Sequence, residues 1–306
     1  MRTSLLRFGI ALLIAAALLQ VPPRPIAARG PAAATATIEF IDVGQGDAVL
    51  IRSPEGKTAL IDAGPSSAVA ESIAALGIRS LDLVAVSHHH TDHYGGMREV
   101  IKRFQPKYFL ATNSKHTTSM YLKLLQLVES ENIKAIQPLP NKPRRIELGS
   151  VVLTLFPQPP LDDKEENDNS IGIRVTYGDF SVILTGDSEE PEREWWKKNC
   201  PDLLRNANIL KLAHHGSRNG TDTKWLDLID PELAVASLGR GNSYGHPHSE
   251  TITLLERRRI PLMRTDREGT IRITTDGRRW RRSREEVASR PRKISGSPRG
   301  PLIPAG

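Results

Sequence analysis

The sequence predicts an α/β fold, and three observations carry that reading. Leu81-Asp82-Leu83-Val84-Ala85-Val86 and Phe180-Ser181-Val182-Ile183-Leu184 are apolar runs of strand length, the pattern of strands covered on both faces. Met97–Phe104 follows the first run and spaces its apolar residues as a helix does. The chain has 306 residues, enough for a large core, and one domain of about 240 residues is ordinary in this class.

Taken in order, residues 38–43 and 48–52 alternate like paired strands around the Gly44-Gln45-Gly46-Asp47 turn. Residues 57–64 form another strand, ending in Asp62-Ala63-Gly64, and residues 67–76 read as a helix stopped at Gly77. Tyr108–Ala111 is a short strand and residues 117–130 a helix. Asn141-Lys142-Pro143-Arg144-Arg145 reads as a turn, 151–156 opens a second strand-rich half, and the polar, proline-bearing stretch 157–167 is a surface loop. Strands at 171–177 and 180–187, a helix whose Trp195 and Trp196 pack inward, strands at 208–213 and 233–237, a helix at 250–259 and a strand at 269–275 complete the body.

Chemistry concentrates in the loop Ser87-His88-His89-His90-Thr91-Asp92-His93-Tyr94-Gly95-Gly96, between a strand and a helix. Residues two apart on an extended segment point the same way. His88 and His90 then aim at one point while His89 faces away, and Asp92 and His93 aim at a second point as the chain turns, a turn that Gly95 and Gly96 permit. Imidazole and carboxylate suit Zn²⁺, Mn²⁺ or Fe²⁺. Eight of the nine histidines lie in three clusters, His88/His89/His90/His93, His214/His215 and His246/His248, with His116 alone outside them. Such clustering argues against an accidental polar turn. Asp187 ends a buried strand, where a carboxylate is costly unless paired or metal-bound. His214 and His215 end another strand; adjacent side chains there point apart, so one of the two is a ligand. His246 either holds a leaving group or phosphate, or belongs to a capped turn.

The ordered set of Asp42-Val43-Gly44-Gln45-Gly46-Asp47, the His-x-His-x-Asp-His loop, Asn169-Ser170, Leu184-Thr185-Gly186-Asp187, His214-His215-Gly216-Ser217 and Tyr244-Gly245-His246-Pro247 resembles the metallo-β-lactamase superfamily. Within it, the set is most similar to the hydrolase-like domain at the end of the bacterial DNA-uptake channel ComEC. The resemblance implies an αββα four-layer sandwich of two mixed β-sheets flanked by helices. It implies two divalent metal ions, zinc or manganese, one held by His88, His90 and Asp187, the other by Asp92, His93, Asp187 and His215, with Asp187 as the bridge. Of the His-His pair it selects His215 as ligand and His214 for proton transfer, an assignment that could be reversed. Asp92, His214 and His246 form the implied catalytic set. Asn169, Ser170, Ser217, Asn242 and Tyr244 would meet substrate, while Asp47 and Asp62 brace the metal loop from behind. Many members have a further histidine in the region of Asn169 that completes the first metal site. This chain has none, so Asp168, Asn169, a water or the substrate takes that place.

The net charge of +7 is uneven. Residues 1–37 carry four Arg and no acid. Residues 277–306 carry nine Arg or Lys against two Glu, and the body, 38–276, has 29 bases and 33 acids. Overall basicity is therefore no argument that the body itself binds nucleic acid. Cys200 alone excludes an intrachain disulfide and a thiolate metal cage. Arg2 and Arg7 ahead of a short apolar run, with Ala32-Ala33-Ala34 beyond it, read as a secretory signal, or else as an uncleaved membrane anchor, although a span needs ~20 apolar residues. That places the protein outside the cytoplasm, in the periplasm or beyond, with its N-terminus as a membrane tether in the second case. Residues 277–306 read as a disordered basic tail.

Three domains are thus expected: leader 1–37, hydrolase 38–276, tail 277–306. The functional expectation is an exported metal-dependent hydrolase that cleaves a phosphodiester substrate, DNA among the candidates, with a metal-activated water. The alternatives are a cell-wall phosphorylcholine-type esterase and a non-catalytic metal-binding surface module that holds anionic polymer through its Arg tail. No feature points to a protein partner.

Overall fold

The computed structural model describes residues 34–162 and 164–283; the leader reading, and the tail beyond residue 283, lie outside them. The strands in chain order are β1 (Ala36–Phe40), β2 (Val49–Arg52), β3 (Thr58–Ile61), β4 (Leu83–Val86), β5 (Tyr108–Ala111), β6 (Lys134–Ile136), β7 (Arg144–Leu148), β8 (Val151–Leu155), β9 (Ile173–Tyr177), β10 (Phe180–Leu184), β11 (Ile209–Lys211), β12 (Leu233–Ala236), β13 (Leu262–Arg264), β14 (Ile271–Thr275) and β15 (Trp280–Ser283). The helices are α1 (Val69–Ala75), α2 (Thr91–Tyr94), α3 (Met97–Phe104), α4 (Ser119–Ser130), α5 (Glu190–Asn199), α6 (Thr223–Ile229), α7 (Ser249–Arg257) and α8 (Thr265–Glu268). Among the described residues these strands make an eight-stranded sheet, β15-β14-β1-β2-β3-β4-β5-β6, and a seven-stranded one, β13-β12-β11-β10-β9-β8-β7.

Period-two alternation sorts the side chains into layers. Ile38 and Phe40, Val49 and Ile51, Phe180 and Val182, and Leu233 and Val235 fill one core between the sheets. The alternate residues Leu50, Leu60 and Val84 pack under α1, α3 and α4. Ile183, Leu210, Ala234 and Ala236 pack with Trp196, Trp225 and Leu255 of α5, α6 and α7. The order is helix, sheet, sheet, helix, as the resemblance implied. Central strands are covered on both faces, which is why they are unbroken apolar runs. Trp196 is buried with its Nε1–H donating to the Pro157 carbonyl (3.1 Å). Burial pushes the Cys200 thiol up to about 12, leaving it an inert packing group.

Both sheets are mixed. β3, β4, β5 and β6 run parallel, as do β10, β11, β12 and β13. Asp62, His88, Asp187, His214 and Ser237 each lie just beyond the C-terminal end of one of these strands, the edge where parallel sheets carry their sites.

The sequence reading lacks β6, β13, α6 and α8, and it assigns two further stretches differently. Arg144 and Arg145 belong to β7 rather than to a turn; β7 alternates Ile146 and Leu148 inward with charges outward and pairs on one side only with β8, as a charged edge strand does. The last sheet strand is not 269–275: β15 follows it by a tight hairpin, Trp280 opposite Thr275, inside the stretch read as tail. Its charged residues disguised it, but Trp280 packs against the inter-sheet core and donates its Nε1–H to Glu232 (2.7 Å). Among the described residues no helix is long and apolar enough to cross a membrane.

Replacing Trp280 with Ala removes this anchor. We expect roughly 1–2 kcal/mol of destabilisation from lost apolar contact, read as a thermal midpoint lowered by several degrees; an unchanged midpoint would mean that β15 adds nothing to the fold.

Candidate metal centre

β3 stops at Ile61, and Asp62 takes a positive φ of 62° that turns its carboxylate beneath the histidine loop. There it accepts the Ser87 N–H (2.7 Å), the Ser87 hydroxyl (2.8 Å) and the His93 Nδ1–H (2.9 Å). Fixing Nδ1 leaves Nε2 of His93 facing the site, the usual support for a metal-bound imidazole. Gly95 and Gly96 serve the loop through space rather than through φ, since both have ordinary helical values. A Cβ on Gly95 would lie 2.2 Å from the Pro65 carbonyl oxygen, and one on Gly96 2.4 Å from that of Ala63.

Asp187, buried just past β10, donates its N–H to the Ser170 hydroxyl (3.1 Å). Its carboxylate faces His93 Nε2 at 3.3 Å and His215 Nε2 at 3.4 Å. Asp92 reaches the same ring nitrogen of His215 at 3.1 Å. Ligand atoms from Asp92, His93, Asp187 and His215 all lie within 4.8 Å of one another. His215 Nδ1–H donates to the Ser237 carbonyl (2.9 Å), so it too presents Nε2. His93 Nε2 and Asp187 Oδ1 are buried without a hydrogen-bond partner. Converging orphan donors of this chemistry fit a divalent cation. His88 and His90 form a pair beside this set, Nε2 of one 3.1 Å from Nδ1 of the other, and the His88 ring lies 4.1 Å from that of His93, centroid to centroid.

The His-His pair differs from expectation. β11 ends at Lys211, and Ala213–Gly216 is a 3-10 turn in which His214 and His215 both have positive φ, 50° and 54°. Adjacent side chains therefore do not point apart. Both rings approach Asp187, His214 Nε2 at 4.0 Å, while His214 Nδ1 lies 3.3 Å from Glu189. Two consecutive left-handed non-glycine residues cost of order 1–3 kcal/mol each, a distortion retained where the second ring meets Asp92 and Asp187.

Beneath the cluster, Asp47 from the first sheet's β1–β2 loop pairs with Lys211 of β11, both fully buried. Asp47 Oδ1 lies 3.3 Å from His215 Nδ1, and its N–H donates to the Asp92 carbonyl (3.2 Å). Lys211 is absent from the expected site, although a lysine inside the apolar run Ile209-Leu210-Lys211-Leu212 is itself a signal that a buried anion waits for it.

A cavity of about 320 Å³ opens above the cluster, lined by Gln45, His90, Asn167, His214, Tyr244 and His246 among others. Tyr244 is 64% exposed and stacks on His246, with ring centroids 5.6 Å apart. The other residues expected to meet substrate sit behind it. Asn169 exchanges hydrogen bonds with the Asp162 backbone (2.9 and 2.6 Å) and is buried. Ser170 holds the Asp187 N–H. Asn242 clamps the His246 backbone through both amide atoms (2.9 Å each). Ser217 Oγ lies 3.5 Å from His248, and its carbonyl accepts from Thr251. Asp168 accepts the Glu189 N–H (3.0 Å), so it is spent on the backbone. Asn167 donates to Glu189 (3.0 Å), tying the 157–167 loop to the rim.

Burial works to raise the Asp187 carboxyl, yet His215 and His93 hold it well below the usual range. Burial opposes charge on His93 and His215, but Asp187 with Asp62 raises the first, and Asp187 with Asp47 the second, well above the ordinary histidine range. Burial and the adjacent His93 hold His88 well below it. His246 falls to about 4 through burial and the neighbouring His214 and His215.

Fold and site together define a class. A profile of the metallo-beta-lactamase superfamily matches residues 41–240, and the chain belongs to that superfamily, whose members are generally metal-dependent hydrolases. Its curated relatives include ComE operon protein 3 of Bacillus subtilis (strain 168), 28% identical over 261 residues, covering 76% of this chain and 32% of the relative. Competence protein ComA of Neisseria gonorrhoeae is 26% identical over 249 residues, covering 78% and 32%. The ComEC-type resemblance is thus supported, and the chain spans about a third of the length of these relatives. Among solved structures, the diiron β-hydroxylase CmlA of Streptomyces venezuelae superposes with a TM-score of 0.51 at 13% identity, covering 78% of this chain and 54% of that one. The metallo-beta-lactamase fold protein YhfI of Bacillus subtilis gives 0.50 at 15%, covering 74% and 96%. At such identities these two speak to the fold alone.

Two outcomes follow from the electrostatics. Lys211→Met leaves Asp47 buried without its cation and should cost about 3–5 kcal/mol, measured by urea unfolding; a loss under about 1 kcal/mol would show the pair to be dispensable. A cation entering the cluster must displace the protons of His93 and His215. Both pKa values are raised, so apparent metal affinity should keep climbing from about pH 6 to about pH 8, by roughly ten- to a hundredfold per pH unit. Competition with a chelator of known affinity measures this, and a flat profile would contradict it.

Proposed function

We propose that this chain is a phosphodiesterase with DNA as the first substrate to test, working outside the cytoplasm with two divalent ions, zinc or manganese. The observation that carries the reading is the convergence of Asp92 with the buried His93, Asp187 and His215 at the floor of an open polar cavity. DNA is favoured by the ComEC-type resemblance and by relatives whose names speak of competence and recombination. Export is favoured by the basic and apolar composition of residues 1–37.

Asp92, His93, Asp187 and His215 would hold one ion, and His88 and His90 with Asp187 the other. When bound, such ions supply a strong nucleophile at neutral pH and neutralise charge on the attacked phosphate. The chain's own residues do the rest. Asp62, Ser170 and the Ser237 carbonyl fix the ligands, so that little reorganisation is needed during reaction. His246, neutral above about pH 4, offers a hydrogen bond to a phosphate or leaving-group oxygen. His214, held against Glu189, is placed to pass a proton at the rim. Tyr244, exposed and stacked on His246, gives a nucleobase or another flat group a surface to lie on.

The test is hydrolysis by the purified full chain, with Mn²⁺ or Zn²⁺ restored, of single- and double-stranded DNA beside a small activated phosphodiester. Asp187→Asn should lower turnover at least ~100-fold. Cleavage of the small ester alone would redirect the reading to a smaller or wall-linked substrate, such as a phosphorylcholine-type ester. Metal binding without turnover on any substrate would leave the non-catalytic surface module.

A further inference from the structure

The middle histidine of the metal loop faces away from the cluster just described, as alternation predicts. It does not face solvent. His89 is buried, and its ring packs against Tyr121 (centroids 4.1 Å apart) and His116 (5.1 Å). Its Nδ1 lies 3.0 Å from Glu166 Oε1 and 3.1 Å from the Ser114 hydroxyl, which is itself 3.3 Å from Glu166. Glu166 also accepts the His89 backbone N–H at 3.1 Å. One ligand atom from each of His89, His116 and Glu166 lies within 4.8 Å of the other two. His116 is the single histidine outside the sequence clusters, and the fold brings it here from the β5–α4 loop.

We propose that His89, His116 and Glu166 form a separate site for one divalent transition metal of the zinc class, on the opposite side of the loop from the hydrolytic cluster. Two imidazoles and a carboxylate are the protein donors of an open zinc site, with Ser114 or water available for a fourth position. A simple hydrogen-bonded brace, His89 on Glu166, accounts for Nδ1 and for the backbone N–H. It does not account for Nε2 of His116, which is buried with no hydrogen-bond partner. Burial and the nearby His89 ring lower the His116 pKa, which keeps that ring in the neutral, ligating form. Although burial works to raise it, Glu166 is held below its ordinary value by its hydrogen bonds from His89 and stays anionic. A cavity of about 410 Å³, lined by Asn113, Lys115, His116 and Gln137 among others, gives an ion a way in. An ion here would cross-link the metal loop, the β5–α4 loop and the turn Glu166–Asn169, setting the position of His88 and His90 from behind.

Metal content read by equilibrium dialysis of the full chain against buffered Zn²⁺ tests this apart from any turnover. Wild type should hold one equivalent more than His116→Ala, or hold that equivalent at least roughly tenfold more tightly. Glu166→Gln is the second variant, because its amide oxygen can still accept the His89 N–H. A brace alone would leave Zn²⁺ binding unchanged in Glu166→Gln, whereas a ligand role predicts the same lost or weakened equivalent as in His116→Ala. Equal stoichiometry and affinity in all three proteins, with far-UV circular dichroism unchanged, would overturn the proposal. Because nothing in it requires catalysis, failure of the phosphodiesterase reading would leave the result standing.

Discussion

The contact between Asp47 and Lys211 is the constraint on which the site depends. Asp47 comes from the loop that leaves the first sheet, and Lys211 from the floor of the second. Each is fully buried, so neither tolerates the loss of the other. The same carboxylate lies beside His215, and its backbone N–H holds the Asp92 carbonyl. One ion pair therefore sets how closely the two halves of the ligand set approach. Asp92 and His93 belong to one sheet's loops, Asp187 and His215 to the other's, and their nearest atoms converge within 4.8 Å only while the sheets keep that spacing. Buried ion pairs contribute little net stability; what this one contributes is registration.

Around it the strain is local. Asp62, His214 and His215 all take left-handed conformations, and each brings its side chain to the cluster, Asp62 to His93 and the two histidines to Asp187. Such conformations persist only where the surroundings over-determine them. Here they are fixed by Ser87 and His93 around Asp62, and by the Gly186 and Ser237 carbonyls around the His-His turn. Asn242, Ser170 and Asn169 belong to the same scaffold, their polar atoms spent on backbone rather than offered to the cavity.

Much of this was legible in the sequence, for physical reasons. Unbroken apolar runs mark the doubly covered strands, and a carboxylate or histidine at the end of such a run marks the residues that converge in the cluster, since burial without a partner is so costly. Lys211 carries the same signal, masked because a lysine ordinarily sits at the surface. The His-His turn departs from alternation because alternation holds only while the backbone is extended, and nothing in Ala213-His214-His215-Gly216 announces two positive φ values. β7 and β15 were hidden by their arginines, which suit edge strands as well as loops. The meeting of His116 with His89 could not be read at all: it depends on β5 lying beside β4, a tertiary fact.

The register of β1 has a consequence for how the chain is made. Ala36 pairs with Thr275 on one side and Thr37 with Arg52 on the other, so β1 lies between its immediate neighbour in sequence and a strand far along the chain. Contacts so distant in sequence are slow to close. During translation the histidine loop is made long before β14 exists to flank β1, and the strands of the second sheet, whose loops supply Asp187 and His215, are made in between. The nascent chain thus carries the histidine loop before the frame that arranges it exists, and the first sheet cannot be completed until β14 has been made.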